Sequence, residues 1–205
     1  SIFRRWENTN PQYIFDLNVP EKLFKDMPDE KNTYFKTHTR YSELTQNIIK
    51  NYDIKIILSL RDLRDMMISR YYHILSDKSH WQHLLIKDLS FNKGFKISLT
   101  EKKREHENNP LEYYYNWIKN WTEYSKIEKG ILVLHYEDYI IDKQDYINKI
   151  LNYLKIDKKE FNFDKFLNIK EKSSNNLSKN LLNYGRNKST FRLGEADQWK
   201  KLFDD

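Results

Sequence analysis

Apolar residues fall into two spacings along the chain. Short apolar runs occupy residues 33–36, 55–60 and 131–135, of which the last two, with Ile-Ile-Leu-Ser-Leu and Ile-Leu-Val-Leu, are nearly continuous. Such runs suit strands buried on both faces of a parallel sheet better than half-exposed antiparallel strands. A helical period follows each run. Ser42 can cap a helix carrying Leu44, Ile48 and Ile49, and Leu63, Met67, Tyr71 and Ile74 form one stripe on a helix that begins near Arg61. Pro110, after Asn108 and Asn109, suits a helix start. Leu111, Tyr114, Ile118, Trp121 and Ser125 then share a face, and Gly130 marks the exit. Asp142 can cap a further helix with the stripe Ile147, Ile150, Leu151 and Leu154. Strand–helix–strand alternation predicts an α/β fold, a parallel sheet with helices on both faces.

Two stretches resist this pattern. Residues 76–109 mix His, Trp and Gly with the charged run Glu101-Lys102-Lys103-Arg104-Glu105, which reads as a solvated helix or loop. Residues 170–189, rich in Ser, Asn and Lys, read as a long surface loop. No repeat and no break in composition divides the chain, so residues 1–205 read as a single domain.

Composition narrows the choice of partner. With 205 residues, 39% hydrophobic and 15% aromatic, the chain can bury a core and is not a disordered polyelectrolyte. A formal charge of +6 favours an anionic partner. Nucleic acid, phosphorylated metabolites and an acidic membrane surface are all open on charge alone. The absence of Cys excludes disulfides, Cys-ligated zinc and a thiol nucleophile. No apolar run approaches the ~20 residues needed to cross a bilayer, and no signal-peptide pattern is visible. The chain opens on Ser-Ile-Phe-Arg-Arg without Met, which places the expected natural N-terminus upstream.

Three constellations could carry chemistry. In residues 54–72 a buried strand ends at Leu60 and two Arg-Asp pairs occupy the first turn of the next helix. Ligands of open parallel sheets bind beyond the carboxyl ends of the strands. Arg61 would stand there beside a helix N-terminus that already attracts anions, with Asp62 and Asp65 offsetting the dipole. Ser69 falls near the same face, so a long anion could touch both Arg61 and Ser69; ordinary surface ion pairs would explain the charges equally well.

The second constellation is Tyr34-Phe35-Lys36-Thr37-His38 at another strand end. Alternation points Lys36 and His38 to the same side, a placement suited to proton transfer beside developing negative charge. The third is Arg192-Leu193-Gly194 leading to Trp199-Lys200, where an Arg-x-Gly turn can aim N–H groups and a guanidinium at a phosphate. His80-x-x-His83 could share a helix face but lacks a third ligand, so no metal site is expected.

Taken in order, these pieces resemble the sulfotransferases that use 3′-phosphoadenosine 5′-phosphosulfate (PAPS), the cytosolic type and its bacterial relatives above all. The matching pieces are Lys36-Thr37-His38; Arg61-Asp62-x-Arg64-Asp65-x-x-x-Ser69-x-Tyr71-Tyr72-His73; Val133-Leu134-His135-Tyr136-Glu137-Asp138; and Arg192-x-Gly194 with Trp199-Lys200. Trp117 and Trp121 fit the family's aromatic helix. The resemblance implies a P-loop nucleotide-transferase-like three-layer sandwich and in-line sulfuryl transfer without a metal. By its terms His38 is the general base and Lys36 stabilises the bridging oxygen. Arg61 and Ser69 hold the donor's 3′-phosphate, Arg192, Leu193 and Gly194 close over it, and Tyr136 contacts the adenine. Glu137 and Asp138 follow that Tyr and cap a turn.

The implied product is adenosine 3′,5′-bisphosphate, and the implied acceptor is a small molecule or glycan bearing a hydroxyl, less readily an amine. Nucleic acid is not an implied partner. The acceptor is expected against residues 76–109 and near Trp6, Tyr13 and Phe15. A cytoplasmic location is implied, with an anchor upstream of residue 1 left open. The sequence departs from the family in three places. The Lys-Ser-Gly-Thr-Thr-type loop for the 5′-phosphosulfate is absent, Leu193 stands where Lys is usual, and Asp197-Gln198 stands where Gly-Asp is usual. Two rival classes are a small kinase on a related sheet and a non-catalytic module that binds nucleotides or nucleic acid.

Overall fold

The computed structural model describes residues 4–5, 25, 33–34, 38–105, 107–164 and 196–203. The chain divides into two compact units, Ser1–Ile56 with Lys119–Ile131 and Ile57–Ile118 with Leu132–Asp205.

In the first unit, β1 (Arg4–Arg5) pairs in parallel with β2 (Thr33–Tyr34), Arg4 opposite Thr33 and Arg5 opposite Tyr34. Helix α1 (Glu43–Asn51) begins at Ser42, whose Oγ accepts the N–H of Thr45 at 3.1 Å. The cap satisfies a donor that the first turn leaves without an intrahelical partner. Thr45, Ile48 and Ile49 are buried, whereas Leu44 is 51% exposed. Leu44 is thus a correction to the expected stripe: at about 100° per residue it falls roughly a quarter-turn off the centre of the buried face. Trp121 and Tyr124, near the end of helix α5 (Pro110–Ile127), pack on Tyr41 with ring centroids 6.1 and 5.1 Å away.

The second unit holds most of β3 (Ile56–Leu60) and β4 (Ile131–His135), which are hydrogen-bonded neighbours in a parallel sheet. Burial along β3 alternates, with Leu58 and Leu60 inside and Ile57 and Ser59 exposed. In β4 only Leu134 is fully buried. The expectation of strands buried on both faces is therefore corrected for β3: Ser59 interrupts the apolar run at the position where period-2 alternation turns outward.

Helix α2 (Leu63–Ser76) follows β3 and buries Met67, Tyr71 and Ile74 of the predicted stripe, and Ile68 beside it, with Leu63 only half-buried. Full burial of Ile68 and Ile74 stabilises by about 1.5–3 kcal/mol each. The stretch 76–109 contains two helices the pattern did not show, α3 (His83–Ile86) and α4 (Phe91–Thr100). They pack on α2 through Ile86 and through Phe91 and Phe95, whose rings meet Tyr71 edge-on at 5.3 and 5.8 Å. Gly94 makes that approach possible: a Cβ there would lie 3.2 Å from Cε2 and Oη of Tyr71. Arg70 ties the same region together, donating to Ser98 O at 2.8 Å and to Oε1 of buried Gln82 at 2.6 Å. Residues 101–105 are exposed and non-helical, the loop of the two expected alternatives.

His80 and His83 do not share a helix face. Nδ1 of His80 accepts the N–H of Gln82, and buried His83 pairs Nδ1 with Ile74 O at 2.9 Å. Among the described residues no group of His, Asp and Glu could hold a metal ion.

After β4 come α6 (Tyr136–Ile141) and α7 (Lys143–Leu154). Asp142 caps α7 by accepting the N–H of Asp145 at 2.8 Å, and Ile147 and Leu151 face inward. The short α8 (Lys200–Phe203) places Phe203 against Phe95, centroids 5.5 Å apart. No helix among the described residues is long and apolar enough to cross a membrane. The predicted loop 170–189 lies outside the described residues.

Candidate functional site

The carboxyl end of β3 leads directly into the first turn of α2, and four charged side chains crowd that junction. Asp62 is the N-cap, its Oδ1 accepting the N–H of Arg64 at 2.8 Å. Arg64 returns the contact through its side chain, Nε to Oδ1 at 3.0 Å and Nη2 to Oδ2 at 2.6 Å. This bidentate pair holds the Asp62 carboxyl below its usual range, the Arg64 hydrogen bonds being the largest cause. The backbone N–H of Asp62 donates to Oε1 of Glu137 at 3.0 Å, which joins the start of α2 to the start of α6.

Arg61 stands where the strand ends, its side chain 21% exposed. Its guanidinium carbon lies 4.9 Å from the centroid of the Tyr136 ring, and Nη2 lies 3.7 Å from Oδ2 of Asp65 one turn along α2. The aromatic face and the carboxylate hold the Arg61 guanidinium beside the positive end of α2, and two positive groups so placed suit an anion. Tyr136 stacks in turn on Tyr139 at 6.0 Å, and burial raises its hydroxyl pKa against the opposing field of Arg61. Arg61 and Tyr136, far apart in sequence, are therefore brought together. Ser69 lies on α2, half-buried.

The far end of the chain reaches the same turn. The N–H of Trp199 donates to Oδ1 of Asp65 at 3.0 Å, and Arg64 lies over the Trp199 ring at 3.5 Å. Asp197 just before it has φ 57°, and its Oδ2 takes Nζ of Lys200 at 2.9 Å. The left-handed conformation suits the glycine that the resemblance leads one to expect there, and Asp is among the residues that also adopt it.

His38 belongs to the first unit and is exposed. The backbone beside it is fixed: Trp121 Nε1 donates to Thr39 O at 2.9 Å, and Thr45 Oγ1 donates to Arg40 O at 3.2 Å. Lys36, Arg192, Leu193 and Gly194 lie outside the described residues. Sequence reading took Asp65 as offsetting the helix dipole and Glu137 as capping a turn. The i,i+4 spacing of Arg61 and Asp65, and an acidic residue directly after a strand-end Tyr, were the available signals.

Comparison with known proteins bears on this geometry. The profile of the sulfotransferase domain family matches residues 5–205. The chain belongs to the sulfotransferase family. Mouse sulfotransferase 1 family member D1 is 30% identical over 151 residues, covering 71% of this chain and 44% of that protein. Solved structures share the fold. Mouse sulfotransferase SULT7A1 complexed with PAP matches with TM-score 0.61 and 21% identity, covering 89% of this chain and 63% of that one. Retinol dehydratase in complex with androsterone and inactive cofactor PAP matches with TM-score 0.59 and 22% identity, over 89% and 52%. A complex of retinol dehydratase with retinol and PAP gives 0.58 at the same identity. The sulfotransferase chain described here spans 44% of the length of its curated relative.

Proposed function

We propose that this sulfotransferase-family chain belongs to an enzyme that transfers a sulfuryl group from PAPS to an acceptor hydroxyl. The observation that carries the reading is Arg61, set at the end of β3 against Tyr136 and the N-terminus of α2. A guanidinium so placed suits the 3′-phosphate of an adenosine nucleotide, with Ser69 on the same helix and Arg192, Leu193 and Gly194 as further contacts. Tyr136 would meet the adenine. PAP in the related structures supports the same donor.

In the proposed reaction the acceptor oxygen attacks sulfur in line with the bond to the 5′-phosphate oxygen. The new O–S bond forms as the old S–O bond breaks, the acceptor proton passes to His38, and adenosine 3′,5′-bisphosphate leaves with the bonding pair. Lys36 would stabilise the charge that grows on the departing oxygen. No metal is assigned a role.

The acceptor class is a small molecule bearing a hydroxyl. Androsterone and retinol in the retinol dehydratase structures, both apolar alcohols, support that choice. The face of α3 and α4 is the proposed acceptor side, and the compartment is proposed as cytoplasmic. Calorimetry with adenosine 3′,5′-bisphosphate and with 5′-AMP tests the reading. The bisphosphate should bind more tightly; equal affinities would remove the nucleotide assignment.

A further inference from the structure

Asp62 and Asp65 both stand at the first turn of α2, yet their surroundings differ. The Asp62 side chain is 27% exposed and does the work of a cap, whereas Asp65 is 0% exposed. Offsetting a helix dipole does not require burial. A fully buried carboxylate is costly to desolvate and persists where several partners offset that cost. Asp65 has one neighbour a turn away on its own helix and one near the far end of the chain, and its Oδ2 is buried without a hydrogen bond. Oδ1 accepts the N–H of Trp199, and Oδ2 faces Nη2 of Arg61 at 3.7 Å. Arg64 closes the circuit, gripping Asp62 on one side and covering the Trp199 ring on the other.

We propose that Asp65 is the positioning residue of the donor site: one buried carboxylate sets the Arg61 guanidinium against Tyr136 and seats Trp199, which follows Arg192-Leu193-Gly194 closely in sequence. The proposal rests on the reading of Arg61 as the 3′-phosphate contact. Asp65 does not touch the nucleotide. It acts by limiting where Arg61 can go, so its removal costs affinity only for ligands that Arg61 reads. The pair lies at ion-pair distance, 3.7 Å, beyond hydrogen-bond range, so Asp65 orients Arg61 through charge.

Asp65→Asn separates the two functions, because the amide oxygen can still accept from Trp199 while the charge facing Arg61 is lost. In calorimetry with the full chain, D65N should weaken adenosine 3′,5′-bisphosphate by about tenfold, within the range of coupling between contacting groups, and leave 5′-AMP unchanged. In an Arg61→Ala background the same substitution should have no further effect on the bisphosphate. D65N should melt close to the parent protein, and Asp65→Ala, which also orphans the Trp199 N–H, should melt lower. Equal losses for both nucleotides, or additive losses in the double variant, would show a merely structural carboxylate and overturn the proposal. So would unchanged or tighter bisphosphate binding by D65N. A parent protein that does not prefer the bisphosphate would overturn the 3′-phosphate reading itself; a parent that prefers it while D65N loses nothing overturns only the role of Asp65.

Discussion

The indole N–H of Trp121 donates to the carbonyl of Thr39 at 2.9 Å, one residue past His38, with both Trp121 and Thr39 buried. The hydrogen bond fixes the backbone that carries the proposed base. Trp121→Phe leaves a buried carbonyl unsatisfied, at about 1–3 kcal/mol, and removes part of the ring's bulk as well. Urea unfolding should show that loss, and turnover should fall while affinity for adenosine 3′,5′-bisphosphate holds.

His38→Ala removes the proposed base and leaves the proposed nucleotide contacts in place. Turnover should drop roughly a hundred- to ten-thousand-fold, with nucleotide affinity nearly intact. A variant that kept full activity in a sulfate-transfer assay would clear His38 of the role.

Arg61→Ala should weaken the bisphosphate by about 2–3 kcal/mol, the scale of a charge-assisted contact. The loss should be much smaller for 5′-AMP. Comparing the two ligands separates a specific contact from a general disturbance of the α2 N-terminus.

Gly94→Ala sets two effects against each other. Alanine favours the helix by about 1 kcal/mol, but its Cβ would sit 3.2 Å from the buried Tyr71 ring and 3.4 Å from Ile86 O. Tyr71 is 3% exposed and packed by Phe91 and Phe95, so it has little room to yield. Overpacking of about 1–3 kcal/mol should win, and the variant should unfold at lower urea.

Acid should weaken the fold through His80. Burial first, then the charges of Arg70 and His73, bring its pKa down to about 4 from 6.5. Between those values the unfolded chain takes up a proton that the folded protein refuses, so this contribution is complete above about pH 6.5 and is lost as pH falls toward 4. Melting temperatures across that window should flatten in His80→Gln.

Much of the fold could be read because local signals and tertiary packing agree. Ser42, Asp142 and Pro110 start helices where their chemistry says they should, and Ile131–His135 is a strand over the expected residues. Helices α3 and α4 were missed because their packing is aromatic and long-range: Tyr71 meets Phe91 and Phe95, and Gly94 weakens the helical signal where the fold requires close contact. Arg61 and Tyr136 were legible through the motif resemblance. The link from Asp65 to Trp199 was not, since no local period connects a first-turn carboxylate to a backbone N–H near the other end of the chain.

At position 197 the backbone dihedral, more than side-chain chemistry, decides which residues are admissible. With φ at 57°, glycine, asparagine and aspartate are favoured and β-branched residues disfavoured, although Lys155 holds the same φ at the end of α7. Where the family resemblance leads one to expect glycine, Asp197 restricts the unfolded chain and ties the turn to Lys200 through Oδ2. A substitution that looks radical by polarity is conservative in geometry.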